Sequence, residues 1–427
     1  MKKLALLLIL FSIAIQLPLS GQKITTAAKP EDAGFSSERL KKLDAAMEDW
    51  LAKGWAPGFT ALVIRNGKIA YYKSVGYDNM QLKTQLKKDA IYRIASQTKA
   101  ITSVAIMMLF DEGKLLLDDP VSKYIPAFKK QVVLDKFNEA DTTYTTVPAK
   151  KEVTIRELLT HTSGIGYAQI GSRESNAIYA KARLTSGVGV DNDTLLSAMN
   201  RLAALPLMHQ PGERWTYGLN TDLLGALVEV ISGMSLDDYF RTKIFQPLGM
   251  NDTYFQVPAQ KAQRLVKLYK EEAGNKYVES MEMVLNNKVD GNYPLKPQNY
   301  FSGGAGLSSS IMDYGIFLQM LLNGGVYDGK RLLGSNTVRM MTTNQIRSIA
   351  FGGRDRFGLG FQLVTDSSAG QSPANAGTFS WGGAFATSYW VDPQEKMVLL
   401  FYRQLWGTTH GDVVGKFRAL VYQALLD

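Results

Sequence analysis

A serine and a lysine three residues apart, in Ser96-Gln97-Thr98-Lys99, are the residues of this chain best placed for nucleophilic chemistry. The residues that follow, 100–110, are apolar nearly all round a helix, so they predict a buried helix. A serine at its start lies beside free backbone N–H groups that can hold a developing oxyanion. Lys99, three residues further on, lies on the same face of the helix as Ser96. Burial is expected to lower the pKa of the lysine until it can accept a proton. We therefore predict Ser96 as an acylated nucleophile and Lys99 as its base; a helix cap followed by an incidental lysine is the alternative.

Four further motifs follow in order along the chain. They are the runs 158–164 (LLTHTSG), 211–225 (PGERWTYGLNTDLLG) and 302–307 (SGGAGL), and the triplet Trp381-Gly382-Gly383. Together with the serine–lysine pair they resemble the class C β-lactamase and penicillin-binding-protein-related serine hydrolases, and most of all the carboxylesterases with a Trp-Gly-Gly third motif. The resemblance runs from about Gly34 to the C-terminus, and the motifs are specific in combination.

The resemblance implies roles for other site residues. Tyr217 matches the tyrosine of the second motif, which faces the serine and transfers protons to the leaving group and from water. Trp381, Gly382 and Gly383 match an edge strand against which the substrate lies. The N–H of Ala384 would join that of Ser96 as the oxyanion hole.

Two departures from the β-lactamase pattern bear on the substrate. Leu219 stands where an asparagine is expected, so Asn220 is the nearest amide that could contact substrate. The K-T-G motif is absent, and Trp381 replaces a cation that would hold a substrate carboxylate. Either Arg354 or Arg403 could restore that charge from elsewhere.

These departures favour neutral esters, so we expect a carboxylesterase for small or medium esters. A D,D-peptidase or D-aminopeptidase, a weak β-lactamase, and a penicillin-binding sensor that acylates without turnover are the alternatives. The substrate is expected to be a small ester or amide.

Two other features invite a functional interpretation. The glycines of 303–306 lack the G-K-[ST] ending of a phosphate loop, so they predict a tight packed turn. His161 could be a base, but a fixed turn histidine is favoured because Lys99 and Tyr217 already fill that role.

The two ends of the chain predict the fold. A helix over 36–53 precedes strands 59–64 and 68–74, which flank the hairpin turn Asn66-Gly67. Strands over 388–391 and 397–402 precede a final amphipathic helix. This pattern predicts an α/β fold of the α+β type, with an antiparallel sheet flanked by N- and C-terminal helices and an inserted, mainly helical lobe. We assign 22–95 and 344–427 to the α/β lobe and 96–343 to the helical lobe, with the active site between the lobes.

Composition limits the remaining possibilities. The 427 residues carry a net charge of +9 without any block of five or six like charges, so nucleic acid is not expected as a partner. There is no cysteine, and the three histidines (His161, His209 and His410) lack ligand spacing, so no metal and no cofactor are expected. A basic start and a short apolar run over 4–19 predict a signal peptide, residues 1–21. The protein would then work in the periplasm or outside the cell, and would meet the membrane only during export.

Overall fold

The structure is a computed structural model that describes residues 21–426, apart from 185–186, 190–192, 275, 281 and 286. The predicted signal peptide lies outside the described residues, except for Gly21. The α-helices are α1 (Ser37–Ala52), α2 (Thr98–Asp111), α3 (Ile155–Leu159), α4 (Arg173–Lys181), α5 (Leu195–Ala203), α6 (Asn220–Ser232), α7 (Leu236–Phe240), α8 (Gln246–Leu248), α9 (Ile311–Leu322), α10 (Ser335–Met341) and α11 (Val413–Tyr422).

The strands carry the same chain-order numbering. They are β1 (Thr25–Thr26), β2 (Gly58–Arg65), β3 (Lys68–Asn79), β4 (Thr84–Gln85), β5 (Ile91–Arg93), β6 (Val132–Phe137), β7 (Tyr144–Pro148), β8 (Thr253–Tyr254), β9 (Tyr269–Glu272), β10 (Lys276–Glu279), β11 (Glu282–Leu285), β12 (Asn287–Asp290), β13 (Ser308–Ser310), β14 (Val326–Tyr327), β15 (Lys330–Arg331), β16 (Arg356–Phe357), β17 (Gln362–Leu363), β18 (Phe379–Gly383), β19 (Thr387–Asp392), β20 (Met397–Tyr402) and β21 (Leu405–Trp406).

One sheet joins the two ends of the chain, as the sequence predicts. Its strand order is β1-β3-β2-β20-β19-β18-β17-β16, and β4 extends it beside β3. The neighbours pair antiparallel except for β1, which runs parallel to β3. The predicted turn is present: Asn66 and Gly67 have φ angles of 52° and 69°, as a two-residue type I′ hairpin requires.

Helices cover both faces of this sheet. On one face α1 and α11 bury Met47 and Phe417 against the strands, and Phe417 stacks on Phe401 with ring centroids 4.6 Å apart. On the other face α2 and α9 share a core with β2 and β20. A β-carbon at Gly315 of α9 would lie 3.0 Å from the side chain of Leu62 and 3.3 Å from that of Ile64, so the helix packs closely on β2. The α/β fold class with flanking terminal helices is therefore confirmed.

The range 96–343 holds more strand than the sequence indicates. It contains the hairpin β6–β7, whose second strand is exposed throughout, and strands β8 and β13 of a small sheet with β5. Within this range α9 packs on the central sheet rather than on the helices alone. The division into lobes at 95/96 and 343/344 stays a prediction. In the described part of the chain no helix is long and apolar enough to span a bilayer.

Candidate active site

Ser96 opens to solvent from an otherwise buried segment. Within residues 90–109 it alone is partly exposed, and the neighbours on both sides are buried. Strand β5 ends at Arg93, Ala95 takes the left-handed φ of 42°, and a 3₁₀ turn over Ala95–Gln97 leads into α2. A non-glycine residue in that region is strained, and such strain persists only where surrounding contacts enforce it. The turn therefore holds Ser96 in one defined place.

Contacts with Gln97 fix the nucleophile turn to the sheet and to α9. The Tyr402 hydroxyl donates to the Gln97 side chain at 2.5 Å, and the Tyr314 hydroxyl donates to its carbonyl at 2.8 Å. Both tyrosines are fully buried. The turn is thus tied to two elements from distant parts of the chain.

Lys99 is buried, with all three ammonium donors engaged. Its Nζ donates to the carbonyl of Gly304 at 2.8 Å, to the Tyr167 hydroxyl at 3.0 Å and to Ser96 Oγ at 3.4 Å. Burial by itself lowers the pKa of Lys99, but the phenol groups of Tyr167 and Tyr217 outweigh it and raise that pKa above its ordinary value. The pKa lowering expected from burial is therefore wrong: the resting lysine is an ammonium ion.

Tyr217 faces the nucleophile, as the resemblance implies. Its hydroxyl donates to Ser96 Oγ at 2.8 Å, and its ring centroid lies 4.7 Å from Lys99 Nζ. The next residue, Gly218, allows a close approach: a β-carbon there would lie 2.0 Å from the carbonyl oxygen of Ile165. This packing places Tyr217 beside Tyr167.

Tyr167 is a site residue that sequence reasoning missed. It is buried, bonds Lys99, and its ring centroid lies 5.4 Å from that of Tyr217. It follows the 158–164 motif by only three residues, but its contact with Lys99 depends on packing against Gly218, which no local pattern reveals. Burial raises the pKa of Tyr167, so it stays a neutral phenol at physiological pH.

Asn220 does not face the substrate side. It is fully buried; its amide nitrogen donates to His161 Nδ1 at 3.0 Å, and its oxygen accepts from the Ser163 hydroxyl. Because Asn220 is fully buried and these bonds hold its amide inside the protein, its predicted contact with substrate is corrected to a structural one. Burial and the charge of Lys99 hold the pKa of His161 well below its usual range. With its left-handed φ of 56°, His161 agrees with a fixed, neutral turn histidine.

The glycine-rich run forms the tight turn predicted for it. A β-carbon at Gly303 would lie 2.5 Å from the carbonyl oxygen of Thr221, and one at Gly306 2.8 Å from the ring of Phe255. This close packing brings the carbonyl of Gly304 to Lys99. The turn therefore serves the site by supplying an acceptor.

Strand β18 presents a free edge beside the nucleophile. It pairs with β19 along its whole length, but β17 reaches only Phe379 and Ser380, so no other described strand pairs with 381–383 on that side. At Gly383 a β-carbon would lie 2.3 Å from the carbonyl oxygen of Ile94, two residues before Ser96. Ala384 follows directly and is exposed. Its place in an oxyanion hole with Ser96 stays a prediction.

Aromatic side chains surround Tyr217. Its ring lies 5.7 Å from that of Trp381 and stacks on Trp215 at 5.9 Å, while Phe351 and Phe357 pack on both tryptophans. A cavity of about 620 Å³ lies behind Trp215 and Tyr217; charged side chains such as Glu174 and Arg214 also line it, and Ser96 does not. The aromatic rings, rather than this cavity, give the surroundings of Tyr217 their apolar character.

Neither arginine considered as a replacement cation contacts the catalytic residues. Arg354 is exposed and donates to the carbonyl of Ser367, and buried Arg403 donates to the carbonyl of His410. Within the described ranges, no three His, Asp or Glu side chains come together as metal ligands could.

Known proteins share this arrangement of elements. The family model described as Beta-lactamase matches residues 43–423. Esterase EstB of Burkholderia gladioli is 29% identical over 378 residues, covering 86% of this chain and 91% of that protein. A putative D-alanyl-D-alanine carboxypeptidase of Escherichia coli (strain K12) is 28% identical over 415 residues, covering 94% of this chain and 90% of that protein.

A solved structure agrees with these relatives. It is that of EstCE1, a hydrolase with promiscuous acyltransferase activity, which is 25% identical with a TM-score of 0.76. The match covers 90% of this chain and 98% of EstCE1. With the family model matched over most of its length, the chain belongs to the Beta-lactamase family, as a serine hydrolase related to the esterase branch.

Proposed function

We propose that this chain is a secreted carboxylesterase for small or medium esters that works through an acyl-Ser96 intermediate. The observation that carries the proposal is the position of Ser96 Oγ, 2.8 Å from the Tyr217 hydroxyl and 3.4 Å from Lys99 Nζ, beside a strand edge that begins with Trp381. The relatives named as esterase and hydrolase support the same reaction class.

Acylation needs an acceptor for the Ser96 proton. Because the resting Lys99 is an ammonium ion, the reactive enzyme is the fraction in which the Lys99–Tyr217 pair has lost one proton. Ser96 Oγ attacks the ester carbonyl, its proton passes to the Tyr217 oxygen, and the tetrahedral intermediate forms. Collapse breaks the bond to the alcohol oxygen, which takes the proton from Tyr217 and leaves.

Deacylation repeats these steps with water. The Tyr217 oxygen takes a proton from the attacking water, and Ser96 Oγ recovers a proton as the acid leaves. Since the pair must lose a proton to act, kcat/KM is expected to rise with pH from neutral into the alkaline range.

Tyr217→Phe tests the proton transfer. The ring keeps its packing against Trp215 and Trp381, but the hydroxyl that contacts Ser96 is lost, so kcat should fall about 100-fold or more. Some labelling of Ser96 by a fluorophosphonate should survive, because the probe carries a good leaving group. Tyr179→Phe, which removes another buried hydroxyl at 3.2 Å from the N–H of Gly166, is the matched control. An unchanged kcat in Tyr217→Phe would make the tyrosine merely structural.

The substrate class follows from Trp381. A charge-assisted hydrogen bond to a carboxylate contributes roughly 1.5–3 kcal/mol, which corresponds to about a tenfold to 150-fold preference. Without that cation, p-nitrophenyl acetate and butyrate should be hydrolysed with a kcat/KM higher by at least this factor than nitrocefin or a D-Ala-D-Ala peptide.

Two variants sharpen this comparison. Trp381→Lys should move the preference toward substrates that carry a carboxylate, whereas Trp381→Leu removes the ring without adding charge and should not. If the unmutated enzyme already prefers D-Ala-D-Ala peptides, the peptidase alternative, supported by the 28% identical relative of that name, replaces the esterase. A single turnover with no second would indicate a sensor.

The proposal of secretion depends on the N-terminal sequence. Lys2 and Lys3 precede an apolar run over 4–19 that is shorter than a membrane span needs. N-terminal sequencing of protein recovered from the periplasmic fraction tests it: a start near Gln22 is expected, and an intact Met1 confined to the cytoplasm would contradict it.

A further inference from the structure

The proposed proton transfer leaves one buried charge near Lys99 without a role, the carboxylate of Asp222. Asp222 lies in the first turn of α6 and is fully buried. Its Oδ1 accepts from the Ser302 hydroxyl at 2.6 Å and from the Tyr300 hydroxyl at 3.1 Å. Its Oδ2 makes no hydrogen bond of good geometry among the described residues, and the backbone N–H of Gly304 stabilises the carboxylate only weakly from nearby. A buried carboxylate with a vacant oxygen is costly, so it calls for an explanation.

The vacant oxygen points toward the catalytic lysine across Gly304. A β-carbon on Gly304 would lie 2.5 Å from Asp222 Oδ2 and 3.5 Å from Lys99 Nζ. Both atoms therefore lie close to one point, and at most about 6 Å separates them. Lys99 donates no hydrogen bond to this carboxylate, because its ammonium group donates to Gly304, Tyr167 and Ser96. The attraction thus acts through space and leaves the lysine free to reach Ser96.

Four titratable groups act on Lys99 from the elements packed around it. They are Tyr167 and Tyr217, His161 and Asp222. His161 is held neutral, and burial keeps Tyr167, which bonds the lysine, a neutral phenol. Asp222 is the carboxyl group of the four: burial raises its pKa, while the Ser302 hydroxyl, the Lys99 ammonium and the Tyr300 hydroxyl oppose that rise and favour the carboxylate. An opposite charge within about 4–6 Å stabilises a cation by one to three pKa units.

We propose that Asp222 is a positioning residue that keeps the positive charge on Lys99. In the reactive Lys99–Tyr217 pair, which is short of one proton, Tyr217 is then the residue that has lost it. This inference rests on the proposed function. A pair short of one proton has two arrangements: neutral lysine with neutral tyrosine, or ammonium with phenolate. Moving one proton from the Tyr217 oxygen to Lys99 Nζ converts the first into the second. The Asp222 carboxylate favours the second, which puts the proton acceptor 2.8 Å from Ser96 Oγ.

Asp222→Asn tests the proposal, because the amide oxygen can still accept from Ser302 and Tyr300 while the charge is gone. Without the carboxylate the pair loses its proton more readily, so the rising limb of kcat/KM against pH should move to lower pH by about one unit. At the same time a larger share of the pairs has lost the proton from Lys99 and kept it on Tyr217, so the plateau kcat should fall about tenfold. A merely structural role would lower activity without moving the limb.

Two further variants keep the test decisive. Thr102→Val removes the 2.6 Å hydrogen bond to the carbonyl of Gly303 and so disturbs the same turn without changing a charge. The rising limb of kcat/KM against pH should stay in place in this variant. The double variant Tyr300→Phe/Ser302→Ala keeps Asp222 but strips both donors from it, which favours its protonation. This variant should move the limb in the same direction by a smaller amount, and it decides the matter if Asp222→Asn fails to fold.

The outcomes separate this inference from the proposed function. If a fluorophosphonate does not label Ser96 in the unmutated protein, the proposed function fails. If Ser96 is labelled and p-nitrophenyl acetate is turned over, but Asp222→Asn and the double variant leave the limb where the unmutated enzyme has it, Asp222 has no positioning role.

Discussion

Replacing Ser96 by alanine is expected to reduce ester hydrolysis to the uncatalysed background, a loss on the order of 10⁴-fold or more. Ser96 is the partly exposed residue in a buried segment, and both Tyr217 and Lys99 contact its Oγ. Since the alanine lacks the attacking oxygen, neither proton-transfer group has a partner. The measurement is kcat/KM for p-nitrophenyl acetate, corrected for spontaneous hydrolysis.

Ser103→Ala is the matched control for this loss. Ser103 is a buried serine of α2, the helix that follows the turn of Ser96. Its replacement should leave kcat/KM within about twofold, since it touches no reacting group. Equal thermal unfolding of both variants would show that the loss at Ser96 is chemical. Turnover that survives in Ser96→Ala would require another nucleophile and would refute the assignment.

Lys99→Ala is expected to lose at least about 100-fold in kcat/KM, the usual contribution of a general acid–base group. The variant also removes the donor to Gly304 and Tyr167 and leaves the Asp222 carboxylate buried without its cation. Lys99→Met separates these effects, because its side chain fills most of the space but carries no proton. Both variants should lose the alkaline rise of kcat/KM, since the Lys99–Tyr217 pair no longer exists.

A pH profile of each Lys99 variant provides the decisive measurement. Retained activity near neutral pH with an unchanged profile would mean that another group, such as His161, deprotonates the serine. The fold of each variant is checked by its thermal unfolding midpoint.

The sequence predicts those features that depend on local pattern. The turn Asn66-Gly67 and the strands at both ends are present, and the helix after Ser96 is buried as its composition requires. Tyr217 also faces Ser96 as its motif implies. Periodicity and motif spacing suffice here, because each feature depends on a few neighbouring residues or on a family pattern.

What the sequence does not predict depends on contacts between distant segments. Burial of Lys99 was foreseeable, but the direction of its pKa depends on Tyr167 and Tyr217, which approach only because Gly218 packs against Ile165. Asn220 turns inward to His161 for the same reason: its segment is fixed by the loop that carries the histidine. Strand β7 of the hairpin β6–β7 is exposed throughout, so it leaves little hydrophobic alternation to detect.

The assignment of Ser96 as the nucleophile is tested most directly by the mass of the covalently labelled enzyme. The protein is treated with a fluorophosphonate, its intact mass is measured, and the modified peptide is sequenced. One adduct per chain is expected, on Ser96, absent from Ser96→Ala and formed more slowly in Lys99→Met. An adduct on any other residue, or labelling that persists in Ser96→Ala, would contradict the assignment.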